Sequence, residues 1–126
     1  MSAELKILVV DDSKIMGNTI KGIFTESESC CIFFEARDGE DALSQLEMSP
    51  VDLVFFDWNV PKQSGINFLK QIRAIEKYKT LPIIIVISES AKFNVIEALK
   101  SGATDYITKP IKTDLLKAKL VKLNLG

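Results

Sequence analysis

Apolar positions along this chain follow two rhythms that alternate. Short unbroken runs, LKILVV (5–10), CCIFFEA (30–36), VDLVFFD (51–57) and PIIIVI (82–87), have the length and side-chain type of strands. A fifth run, TDYIT (104–108), is shorter. Between the runs, apolar residues recur at helical spacing. From Ser13 onward, Ile15, Met16, Ile20, Ile23 and Phe24 share one face. Asp38 reads as the N-cap of a helix with Ala42, Leu43 and Leu46 that stops before Pro50. Ser64-Gly65 opens a helix carrying Ile66, Leu69, Ile72 and Ile75. Val95, Ile96 and Leu99 mark the next, which Gly102 ends, and Thr113 caps a last helix with Leu115, Leu116, Leu120 and Leu123.

Five strand–helix units in alternation predict an α/β fold, a doubly wound parallel sheet with helices on both faces. The first, third and fourth strands are apolar almost throughout, as strands covered on both sides should be. No linker, repeat or low-complexity segment interrupts the pattern, so residues 1–126 are expected to form one domain around one core.

Composition narrows the function more than it shapes the fold. The chain is 47% hydrophobic and 26% charged, ordinary for a globular protein, and its formal net charge of −1 gives no electrostatic case for nucleic-acid or anionic-membrane binding. No apolar run approaches the roughly 18 residues of a membrane span, and MSAELK lacks the regions of a signal peptide, so a cytoplasmic location is expected. Cys30 and Cys31 are adjacent and cannot staple distant segments, so reduced thiols are expected. The absence of histidine excludes Ser-His-Asp and Cys-His catalysis and argues against zinc.

The chemistry sits where the strands end. Open α/β sheets bind ligands beyond the carboxyl ends of their strands. Strand one ends in Asp11-Asp12, strand three in Asp57 followed by Trp58 and Asn59, strand four in Ile87-Ser88-Glu89, and strand five in Lys109-Pro110. In the strand order 2-1-3-4-5, three carboxylates and one ammonium face one crevice. Each Asp taken alone reads as a turn or cap residue, and Asp12 is placed to cap the first helix. Together they are harder to explain by capping. Three clustered carboxylates repel one another, and an oxygen-only donor set suits Mg²⁺ or Mn²⁺. A metal and a lysine beside a carboxylate neutralise the oxygens of a transferring phosphoryl group, which makes Asp57 the candidate nucleophile. Trp58 and Tyr106 taken alone are packing residues, and Lys62 and Lys70 are solvated.

The motifs VVDDS (9–13), DWNVPKQSG (57–65) and SGATDYITKP (101–110), set on five βα units, resemble the receiver domain of two-component response regulators, and most of all its single-domain chemotaxis members. The resemblance covers essentially the whole chain and implies a flavodoxin-like fold. It implies that Asp57 accepts a phosphoryl group from the phosphohistidine of a sensor histidine kinase. It implies that Asp12, Asp57 and the Asn59 carbonyl hold Mg²⁺, with Asp11 assisting through water. Lys109, with Trp58 and Ser88 as further candidates, would contact the phosphoryl group, the Lys109–Pro110 bond would be cis, and Tyr106 would be an aromatic switch. The partners implied are the kinase and a downstream output protein, for a monomer that catalyses only its own phosphotransfer and dephosphorylation.

Two departures stand out. The family carries Thr or Ser at the end of strand four, 30 residues after the acceptor and 22 before the lysine. Here that position is Ile87. The Ser88 hydroxyl comes one residue late, and adjacent strand side chains face opposite ways. Impaired switching is therefore expected, with less movement of the strand 4–helix 4–strand 5 face or another route through Glu89-Ser90. Gln63 also replaces a residue that is often apolar. Two other functions are open: a receiver-like constitutive adaptor, and an aspartyl-phosphate phosphatase of the haloacid-dehalogenase type. The phosphatase normally carries a D-x-D pattern after its first strand, which this chain lacks.

Overall fold

The computed structural model describes residues 5–12, 14–26, 31–58 and 62–123. Five parallel strands, β1 (Leu5–Val10), β2 (Cys31–Ala36), β3 (Leu53–Asp57), β4 (Ile83–Ile87) and β5 (Asp105–Thr108), form one sheet in the order β2-β1-β3-β4-β5. Five α-helices connect or follow them: α1 (Ile15–Glu26), α2 (Gly39–Met48), α3 (Lys62–Ala74), α4 (Val95–Ser101) and α5 (Thr113–Lys122). Two 3₁₀ turns, Glu76–Tyr78 and Glu89–Asn94, precede β4 and α4 and have no counterpart in the periodicity reading.

Alternation along the strands divides the core into two layers. Leu8, Val10, Val54, Phe56, Ile83, Ile85 and Ile87 pack under α2, α3 and α4. Ile7, Val9, Leu53, Phe55, Ile84 and Val86 pack under α1 and α5 with Met16, Ile20, Phe24, Leu116 and Leu120. The central strands are buried on both faces, which is why β4 is apolar at every position and β3 at every position before Asp57.

The expected elements are all found, with local differences. Asp38 caps α2, its Oδ1 accepting from the Asp41 amide at 2.8 Å. Lys112, not Thr113, occupies the N-cap of α5 and offers no side-chain bond, so Thr113 is the first helical residue. The third helix begins at Lys62, two residues before the expected opening. Ile15 does not join the core: it is the first residue of α1 and is 72% exposed. Gly102 closes α4 at φ +128°, a conformation L side chains rarely adopt. The Arg73 guanidinium bonds the carbonyls of Gly102 and Tyr78 at 2.8 and 2.7 Å, tying α3 to the end of α4. Ser13, Cys30, Asn59 and the side chains of Lys62, Gln63 and Ser64 lie outside the described residues.

Candidate functional site

The strand ends converge on Asp57. It closes β3, is 3% exposed, and takes Val86 of β4 as its register partner. The Lys109 ammonium lies 3.0 Å from Asp57 Oδ1. Lys109 follows β5, is held against β4 by the hydrogen bond its amide donates to the Ile87 carbonyl at 2.9 Å, and precedes a cis bond to Pro110. From β1, Asp11 and Asp12 enter the same crevice: each of the three aspartates offers a carboxylate oxygen, all within 4.8 Å of one another. Three negative charges against one ammonium leave a local excess of two, which a divalent cation would cancel. An octahedral Mg²⁺ with bonds of about 2.1 Å places its opposite oxygens about 4.2 Å apart, so these carboxylates need little adjustment to share one ion.

The two adjacent aspartates differ in setting. Asp12 is exposed. Asp11 is buried, and its Oδ2 accepts from the Gly17 amide at 3.0 Å, one of the donors that the first turn of α1 leaves unpaired. The capping duty expected of Asp12 thus belongs to Asp11. A depression of about 390 Å³, lined by Ile15, Met16, Thr19, Pro110 and Ile111, reaches Asp57 and Lys109.

On the other side of β3 the side chains are apolar. Trp58 is buried, stacks edge-on against Phe56, and lies over the first turns of α3. A β-carbon on Gly65 would come within 2.6 Å of the indole, so a glycine is what allows the ring to lie there. The sequence reading took Gly65 only as a helix opener; the signal was a glycine seven residues past a tryptophan, with nothing local to mark it. Ile87 ends β4, is buried, and packs in the same layer as Trp58, with Tyr106 against it. Ser88 is exposed, its Oγ 3.2 Å from that of Ser90. Tyr106 is half-buried on β5. The Lys119 ammonium lies 5.2 Å from its ring centroid and 3.1 Å from Asp105 Oδ1, which also accepts from the Tyr106 amide. Lys119 and Asp105 escaped the sequence reading because α5 and β5 meet only in the fold.

The family model for the response regulator receiver domain matches residues 7–121. The chain is 37% identical to the chemotaxis protein CheY-3 of Vibrio cholerae, covering 98% of this chain and 94% of that protein. It is 40% identical to a CheY homolog of Campylobacter jejuni, covering 92% and 89%. Among solved structures, the chemotaxis response regulator CheY4 of Vibrio cholerae superposes with a TM-score of 0.82 at 26% identity, covering 96% of this chain and 99% of that one. The receiver domain of a sensor histidine kinase from Pseudomonas aeruginosa, with a magnesium ion in its active-site cleft, superposes with a TM-score of 0.80 at 25% identity, covering 95% and 97%. With matches of this extent and a sheet in the order 2-1-3-4-5 beneath the acidic crevice, the chain belongs to the response regulator receiver domain family and is CheY-like.

Proposed function

We propose that this chain is a phosphorylation-controlled signalling module in which Asp57 is the phosphoacceptor. The observation that carries the reading is a buried carboxylate with a lysine ammonium 3.0 Å away and two further carboxylates in the same crevice. A carboxylate oxygen of Asp57 attacks phosphorus as the bond to the donor's imidazole nitrogen breaks, and the imidazole leaves. Lys109 meets the charge that develops on the phosphoryl oxygens, and the buried floor of the site strengthens that interaction. Asp11, Asp12, Asp57 and the Asn59 carbonyl would hold Mg²⁺, or Mn²⁺, which supplies charge neutralisation of the transferring group. The magnesium in the Pseudomonas aeruginosa receiver supports this choice of ion.

In this reading residues 1–126 act as one monomeric, cytoplasmic domain without nucleic-acid or membrane binding. No described helix is long and apolar enough to cross a membrane. The donor is a sensor histidine kinase and the listener a downstream output protein, which reads the surface of β4, α4 and β5 around Tyr106. The protein turns over nothing beyond its own phosphoryl group. The adaptor reading has one observation in its favour: Ile87 is packed in the core and offers no hydrogen bond. A small phosphodonor with Mg²⁺ should add one phosphoryl mass to the wild-type chain and none to Asp57→Asn, as read by intact mass spectrometry. An adduct surviving in the variant would move the acceptor elsewhere. An adduct with no change in the resonances around Tyr106 would favour the adaptor.

A further inference from the structure

Among the described residues β5 is an edge strand, paired only with β4. Side chains alternate between its two faces. Ile107 lies in the layer under α1 and α5, whereas Tyr106 packs against the layer under α2, α3 and α4. Asp105, two residues before Ile107, shares the α5 side. Lys119 of α5 meets both neighbours: its ammonium lies 3.1 Å from Asp105 Oδ1 and 5.2 Å from the Tyr106 ring centroid. One cation thus contacts side chains that belong to opposite faces of the same strand.

Asp105 closes the arrangement. The oxygen that meets the ammonium also accepts from the Tyr106 amide at 2.8 Å. The carboxylate therefore holds both the cation and the backbone that carries the ring. The pair is sheltered, with side chains 19% and 16% exposed, so salt screens it less than an open surface pair. A cation within about 6 Å of an aromatic centroid is attracted by the ring face. Blunting an open strand edge needs only a charge. It does not need that charge shared between a carboxylate and a ring.

We propose that Lys119 is a positioning residue for Tyr106. Asp105 aims its ammonium at the ring, and this clamp, set from α5, fixes where the half-buried ring lies. Tyr106 cannot leave that place unless the ammonium gives up the ring, so any movement of the ring is matched by Lys119. The clamp sets the resting form of the surface that the functional reading gives to the output protein. It is a property of the resting chain and stands or falls separately from the role of Asp57.

Nuclear magnetic resonance of the resting protein tests it. The chain holds two tyrosines, and the Tyr106 ring signals are assigned by their loss in Tyr106→Leu. In the wild type the ε-methylene protons of Lys119 should be shifted upfield by the ring current, and Tyr106→Leu should abolish that shift. Asp105→Asn keeps an oxygen for the Tyr106 amide but removes the charge, and it too should abolish the shift. Lys119→Met keeps the stem without the ammonium and should move the Tyr106 ring signals, while Lys119→Arg should return them toward their wild-type positions. A role in packing alone would be served by methionine as well as by arginine. Lys119 methylenes without an upfield shift in the wild type overturn the clamp. So do Tyr106 ring signals left at their wild-type positions in Lys119→Met. Should Lys119→Met not fold, a full upfield shift surviving in Asp105→Asn overturns it equally.

Discussion

Asp12 and Asp11 stand side by side on the chain but have different duties. Asp11 is fixed by the Gly17 amide and shapes the start of α1, so its removal would damage the fold as well as the site. Asp12 is exposed and adds a third negative charge to a crowded crevice. Unit charges about 4 Å apart in water repel by about 1 kcal/mol. Asp12→Ala should therefore stabilise the metal-free protein by about 1 kcal/mol, the repulsion it removes. It should also abolish the stabilisation that millimolar Mg²⁺ gives the wild type, since a ligand that binds the native state raises stability by mass action. Urea denaturation with and without chelator measures both. A variant weaker than wild type in chelator, or one stabilised equally by Mg²⁺, would contradict this account of the site.

Helix α3 shows how one element can be constrained by a neighbour it does not touch in sequence. Its fourth residue, Gly65, is buried under Trp58, and an added β-carbon would meet ring atoms at 2.6 and 2.9 Å. Glycine inside a helix ordinarily costs stability relative to alanine. Here the sign should reverse. Gly65→Ala must displace a buried indole whose other neighbours are the Phe56 ring and the β4 layer. Overpacking of this kind costs about 1–3 kcal/mol. The variant should lose that much stability and show a shifted Trp58 emission maximum in the folded state. An emission spectrum identical to wild type would mean that the ring is not confined by α3.

At the scale of the whole molecule, the sheet is shared by two apolar layers, and no layer can be exposed without stripping one face of β1, β3 and β4. Unfolding should then be cooperative. Trp58 reports on the layer under α2, α3 and α4, while far-UV circular dichroism reports on all the helices. Their urea midpoints should coincide, with a slope of about 1–3 kcal/mol per molar. Separate midpoints would show that the two layers come apart independently.

What the sequence determined by itself was local. The alternation of apolar runs with helical spacing specified five strands, five helices and a sheet covered on both faces, and the turn chemistry at Asp38 and Gly102 set two of the helix ends. It also showed which polar residues stand at the strand ends, because a carboxylate directly after an apolar run has few places to go but the rim. Periodicity carried no strand order. The order 2-1-3-4-5 was taken from the general doubly wound pattern and not read from the residues, since it depends on which strand edges pair across dozens of residues. Once that order was granted, the strand ends already brought Lys109 to the crevice of Asp57, 52 positions apart; only the tertiary structure set their 3.0 Å contact and gave the capping role to Asp11 rather than Asp12. Only it buried Trp58 against Gly65. These relations are distances between elements fixed by layer packing, and no local rhythm of polar and apolar residues encodes them.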